Sequence, residues 1–205
     1  RKTGVSEPFS KHVGLNHAPT WAPDGETLAY VLSKDANTEI YVKRLGSTTE
    51  QRLTNDRSSD TGPVYSPDGR QIAFVNDRGG RPQIYVMDAS GGNQRRLSIQ
   101  GGNSYDPAWS PDGRFIAYVV EGNGHGLEIY VMNADGSGAR QLTSAAGSSE
   151  SPTWSPDSRH VMFTSRRSGL PQLYTVTVDT GVVRLVPNLD HLASDALRAN
   201  VLADP

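Results

Sequence analysis

The chain contains no cysteine, which excludes a disulfide framework, a thiolate metal site and a cysteine nucleophile, and leaves the compartment open. It also lacks an excess of either charge: 20 Lys and Arg stand against 22 Asp and Glu, a formal net charge of -2. Neither nucleic acid nor an anionic membrane surface is then an expected partner, because both reward clustered positive charge. Long apolar runs are missing too. The longest, Phe115 to Val120, spans six residues, against the roughly 20 that a spanning helix needs, so a soluble chain without membrane insertion is expected. The first residue is Arg1 and no signal-type apolar segment follows, so the chain reads as a mature product or a piece of something longer.

Catalytic signatures are equally thin. The five histidines (His12, His17, His125, His160, His191) show no metal-ligand spacing such as i, i+4 on a helix. No Gly-x-Ser-x-Gly elbow is present, and no phosphate-binding glycine loop ends in Lys-Ser/Thr. No catalytic residue, metal site or cofactor is expected; a Ser-His-Asp set assembled only by folding is the one enzymatic reading left. The loop Asn133-Ala-Asp-Gly-Ser-Gly138 alternates oxygen-bearing side chains with glycine, but it lacks the downstream glutamate of a calcium loop and reads as a hairpin turn.

What the chain does have is a repeat. Tyr105-Asp-Pro-Ala-Trp-Ser-Pro-Asp-Gly113 is echoed at His17 to Gly25, Thr61 to Gly69 and Glu150 to Ser158, and its Pro-Asp pairs recur at steps of 44, 44 and 45 residues. Such a period belongs to arrays whose units cover one another's faces. Each copy leads into an apolar run (Leu28 to Leu32, Ile72 to Val75, Phe115 to Val120, Val161 to Thr164). A second run follows at Ile40-Tyr-Val, Ile84-Tyr-Val-Met, Ile129-Tyr-Val-Met and Leu173-Tyr-Thr-Val. Each unit then reaches Arg52-Leu-Thr, Arg96-Leu-Ser, Gln141-Leu-Thr or Arg184-Leu-Val, which makes four short strands per unit. Both alternating faces of these runs are apolar, as in sheets covered on both sides.

The expected fold is therefore an all-β propeller of four-stranded antiparallel blades, with four repeats legible in residues 1–187. The blades fall at about 17–60, 61–104, 105–148 and 149–187. Tyr30, Phe74, Tyr118 and Phe163 share one register and are expected in the core between blades. Ser-Pro-Asp-Gly reads as a hairpin turn whose glycine takes positive φ, and Ser158 in that place implies strain of about 1 kcal/mol or a different turn. Residues 5–10 read as an extra outer strand, either the end of an earlier unit or a strand that zips the array shut. In the 188–205 tail, apolar residues recur at three- and four-residue steps from Leu189 to Val201, the pattern of a short amphipathic helix that plugs an exposed blade or docks on a partner.

The string Pro-Thr-Trp-Ser-Pro-Asp, a strand ending Ile-Tyr-Val-Met, and then Gln/Arg-Leu-Thr resembles the propeller repeat of the TolB family, the periplasmic member of the Tol-Pal envelope system. Asn16-His-Ala-Pro-Thr-Trp-Ala-Pro-Asp-Gly25 and the Pro-Asp-Ser with Phe163-Thr-Ser behind it look like consecutive blades of that family. The resemblance covers roughly residues 5 to 187; propellers of prolyl-oligopeptidase-type enzymes use similar units. A propeller of the TolB family has six blades where four are legible here, and its N-terminal α/β domain has no counterpart in these residues, so functions that need that domain do not carry over.

In such a propeller the loops entering each innermost strand gather at one mouth of the channel: Asn16-His17-Ala18, Asp60-Thr61-Gly62, Ser104-Tyr105-Asp106 and Ser149-Glu150-Ser151. This ring of carboxylates, small polar groups and one tyrosine suits a loop or chain terminus, with Tyr105 as an amphipathic anchor; the alternative is a set of solvated loops. In the TolB family this end receives the peptidoglycan-associated lipoprotein. The resemblance therefore implies partner binding by His17, Ala18, Asp60, Thr61, Tyr105, Asp106, Glu150 and Ser151 in a non-enzymatic periplasmic scaffold. Two alternatives stand beside it: a structural subunit capping a larger envelope or membrane complex, and the propeller of a hydrolase whose catalytic domain lies elsewhere. Oligomers or larger assemblies fit all three.

Overall fold

The computed structural model describes residues 9–34, 36–99, 101–122, 126–144 and 147–187. Residues 5–8 of the expected outer strand at 5–10, and the 188–205 tail, lie outside them. Among the described residues, sixteen strands form four antiparallel sheets, each in chain order. The first holds β1 (Asn16–Trp21), β2 (Thr27–Leu32), β3 (Glu39–Arg44) and β4 (Gln51–Arg52); the second β5 (Asp60–Tyr65), β6 (Gln71–Asn76), β7 (Gln83–Asp88) and β8 (Arg95–Arg96). The third holds β9 (Ser104–Trp109), β10 (Phe115–Gly122), β11 (Gly126–Asn133) and β12 (Arg140–Gln141); the fourth β13 (Ser149–Trp154), β14 (His160–Ser165), β15 (Gln172–Thr177) and β16 (Val183–Leu185). This is a β-propeller array of four blades, innermost strand first.

Turn chemistry sets the first hairpin of every blade. In each, the fourth residue donates its N–H back to the first (Gly25 to Ala22, Gly69 to Ser66, Gly113 to Ser110, Ser158 to Ser155, at 2.9 to 3.0 Å). Glycine then takes φ of 68 to 72° in the first three turns, and Ser158 adopts 60° in the fourth. The same turn is thus kept with serine, and Asp112 N–H donates to Ser158 Oγ from the neighbouring blade at 3.1 Å. A hydrogen bond across the seam offsets the strained backbone.

Packing follows the period. The leading face of one blade meets the trailing face of the next: Ala29, Ile40 and Leu53 against Ile72, Phe74 and Met87; Ala73, Ile84 and Leu97 against Ile116, Tyr118 and Met132; Ala117, Ile129 and Leu142 against Val161, Phe163 and Val176. The aromatic register Tyr30, Phe74, Tyr118 and Phe163 is buried, each ring beside the tyrosine opposite it (Tyr41, Tyr85, Tyr130, Tyr174) at 5.9 to 6.5 Å. The inner strands pack in sequence, β1 on β5, β5 on β9 and β9 on β13.

The two ends of the array differ. The trailing face of the first blade is covered by the chain before β1: Phe9 and Ser10 are not in a strand, and the Phe9 ring meets Tyr30 edge-on at 5.5 Å. The leading face of the fourth blade replaces the Val31, Val42 pattern with Thr164 and Thr175 and leaves Leu173 47% exposed. Its last strand also corrects the sequence alignment by one residue. Leu185, not Arg184, pairs with Tyr174 where Arg52 pairs with Tyr41, so Val186 takes the place of Leu53 and donates to Leu173 O at 2.9 Å.

Candidate functional site

Every innermost strand carries a proline (Pro19, Pro63, Pro107, Pro152) and slips its register just there. Proline has no N–H for the ladder, and a bulge absorbs the missing pair. The residue before it turns left-handed: Ala18 at φ 50°, Gly62 at 58°, Asp106 at 50° and Ser151 at 55°. Three of these are not glycine, a conformation that costs on the order of 1 kcal/mol or more per residue.

The bulges bring three of these positions, Ala18, Gly62 and Asp106, to one place. Ala18, Pro19, Thr20, Gly62, Pro63, Val64, Asp106, Pro107 and Pro152 line one cleft of about 300 Å³ to which all four blades contribute. Four of its nine lining residues are prolines, which offer carbonyls and apolar surface but no backbone donors. Asp106, though exposed, is the ionisable group of the lining; partial desolvation by the surrounding lining holds its carboxyl above the usual carboxylate range, and the charge of Glu150 adds to this. Thr20 and Asp106 are the lining side chains with polar atoms.

The structure sorts the eight residues read from the sequence. Ala18 and Asp106 line the cleft. Ser151 shares their backbone position and is exposed. His17, Thr61, Tyr105 and Glu150 precede the bulged residues and are not among the lining of the cleft; each pairs with the second strand of its own blade (Val31, Val75, Val119, Thr164). His17 is exposed, while Thr61 and Glu150 are half-buried. Two expectations need correction. The Tyr105 ring packs against both inter-blade cores that flank its blade, so it is a wedge more than an anchor for a partner. Asp60 is 0% exposed, with Oδ1 accepting from Asn76 Nδ2 at 2.8 Å, and it cannot touch a partner at the mouth.

Sequence reasoning put Gly62 in the ring of loops without naming it as a binding residue, and it missed Thr20, Val64 and the four prolines as lining residues. The signal was present in the repeat itself, since a proline recurs two residues before each Trp21, Tyr65, Trp109 and Trp154. A second recurring element, Arg-Leu-Thr/Ser, is structural. Thr54, Ser98 and Thr143 each accept the N–H of Ile40, Ile84 or Ile129 at 2.9 Å, fastening the last strand to the third.

A family profile described as the TolB beta propeller domain matches residues 2–126 and 101–198. Among solved structures, TolB from Acinetobacter baumannii is 32% identical, with a TM-score of 0.72 over 83% of this chain and 42% of its own. A putative TolB from Agrobacterium tumefaciens is 27% identical, with a TM-score of 0.74 over 85% of this chain and 62% of its own. A puromycin-hydrolyzing peptidase from Mycobacterium tuberculosis, 17% identical with a TM-score of 0.68 over 85% of this chain and 29% of its own, shares the fold. The chain therefore spans less than two thirds of each of these relatives. With the spacing of its turns, the bulged prolines around one cleft and these likenesses in agreement, the chain belongs to the TolB β-propeller domain family.

Proposed function

We propose that the chain is a non-enzymatic interaction scaffold of the cell envelope, periplasmic as its TolB relatives are, which holds an extended segment of a partner protein at the channel mouth. The observation that carries this reading is the proline-walled cleft, built from all four blades and lined by Ala18, Gly62 and Asp106. Rigid rings and carbonyls grip a peptide at low ordering cost. The nearest partner by family is the periplasmic domain of a peptidoglycan-associated lipoprotein.

Calorimetric titration with that domain tests the reading on the wild type and on Thr20→Arg and Asp106→Asn. Thr20→Arg fills the cleft, and an affinity loss of at least tenfold is expected with the thermal midpoint within a few degrees of wild type. Asp106→Asn keeps a residue that tolerates left-handed backbone and removes the charge; a smaller, salt-dependent loss is expected. Equal affinity of Thr20→Arg and wild type would remove the cleft from the binding surface.

A further inference from the structure

The first three blades repeat one polar arrangement beneath the next entry strand, and the seam between the first two departs from it in charge. In the second blade, Gln83 accepts from Arg96 at 2.9 Å and from Ser98 Oγ at 2.7 Å, and the next entry residue is Ser104. In the third blade Glu128 occupies the Gln83 position, and the next entry residue is Ser149. At the first seam both positions are carboxylates: Glu39 ends the first blade's inner loop and Asp60 opens β5, each 0% exposed. Asp60 N–H donates to Thr38 O at 2.9 Å, which ties the two segments together.

Among the described residues, one cation faces two buried acids. Arg52 pairs with Glu39 Oε1 at 2.7 Å, and Asn76 Nδ2 serves Asp60 Oδ1 at 2.8 Å. Glu39 Oε2, Asp60 Oδ2 and Thr38 Oγ1 are buried and none completes a hydrogen bond of ordinary geometry, although the Thr54 hydroxyl lies close enough to the Asp60 carboxyl to favour its charged form. Asp56, on the same seam, is engaged by Arg78 at 3.7 Å, and Asp77 accepts from Ser59 N–H at 2.9 Å; as carboxylates both are acceptors and add negative charge rather than a donor. A bare carboxylate oxygen in such a place is costly, whereas a protonated carboxyl is not. Burial accordingly pushes the Asp60 carboxyl up to about 7, with the charges of Asp56 and Glu39 adding to it against the Asn76 amide and the Thr54 hydroxyl.

We propose that this seam is a proton-binding site: Asp60 takes a proton from solvent onto its carboxylate, and its loss is transmitted along β5 to Thr61 and Gly62 at the channel mouth. The route is short, since Asp60, Thr61 and Gly62 are consecutive and Gly62 lines the cleft. Uptake removes one of the two negative charges and leaves Glu39 paired with Arg52. The site is read on the free chain, so it stands or falls apart from partner binding.

Carbon-13 NMR of aspartate carboxyls between pH 3.5 and 8.5, assigned with Asp60→Asn, tests the site directly. One carboxyl is expected to titrate near neutrality and to vanish in Asp60→Asn. The Thr61 and Gly62 amide resonances should follow the same midpoint in wild type and lose that step in the variant. Because the folded carboxyl lies above its unfolded value of 3.8, the contribution is full below about pH 4 and lost as pH rises through about 7. The folding constant of wild type relative to Asp60→Asn should then fall by up to about a thousandfold across that window. Asp60→Ser, the side chain at Ser104 and Ser149, must behave like Asp60→Asn, and Glu39→Gln, which copies Gln83 of the next blade, should move the midpoint down. An Asp60 carboxyl that titrates near 4, or mouth resonances that titrate alike in wild type and Asp60→Asn, overturns the proposal.

Discussion

At the scale of single residues, the repeat supplies its own controls. Tyr118 occupies the register of Phe74 and Phe163, yet its hydroxyl is buried without a partner. Tyr118→Phe should therefore stabilise the chain by about 1 kcal/mol, read as a higher urea midpoint at unchanged slope. Phe163→Ala, which empties the same register one blade later, should cost about 3 to 5 kcal/mol. Ser158 gives the subtler test. Ser158→Gly relieves the left-handed backbone but loses the bond from Asp112 N–H, so a change within about 1 kcal/mol is expected, whereas Ser158→Ala keeps the strain, loses the bond and should cost about 1 to 2 kcal/mol. The aromatic register was legible because it repeats with the chain. The bond at Ser158 was not, because its donor comes from a turn 46 residues away.

At the scale of elements, strand order, hairpin turns and the burial of both faces all followed from local patterns of period two and turn residues. The candidate site was legible in outline: the entry loops do gather at a mouth. Which side chains point into it was not, since the bulge before each proline reverses the alternation and sends Ala18 and Asp106 inward while Tyr105 turns to the core. Burial of Asp60 depends on Thr38 and Asn76, neighbours that only pairing brings close. Two element-level consequences can be measured. Thr143→Val keeps the shape but deprives the Ile129 N–H of its acceptor, at an expected cost of about 1 to 3 kcal/mol and faster amide exchange in β12. Gly136→Ala should cost about 1 kcal/mol or more, because its φ is 93° and a Cβ there would lie 3.2 Å from the Leu97 carbonyl oxygen across the seam.

At the scale of the whole molecule, two sets of carboxyls act in opposite directions on stability. The turn aspartates Asp24, Asp68, Asp112 and Asp157 sit below the usual carboxylate range. Asp112 is lowered to about 2 in spite of desolvation, through bonds from Ser110 and Arg114. The other three are lowered chiefly by bonds from turn N–H groups and hydroxyls. Their contribution is present above about pH 4 and is lost as pH falls towards 2. Asp60, raised to about 7, contributes below about 4 and loses its contribution above. Stability against pH should therefore peak near pH 4 to 5 and decline towards pH 7, and Asp60→Asn should flatten that decline and extend the top to higher pH while leaving the acid limb in place; denaturant midpoints across pH 2 to 9 check both limbs.

The seams have a further implication. Since each hydrophobic core lies between one blade and the next, the array behaves as a stack of dominoes whose joints are nearly interchangeable. A duplicated unit spliced between the second and third blades would find on either side a face shaped for it, so such a protein can gain or shed a module in its history without redesigning the modules that remain.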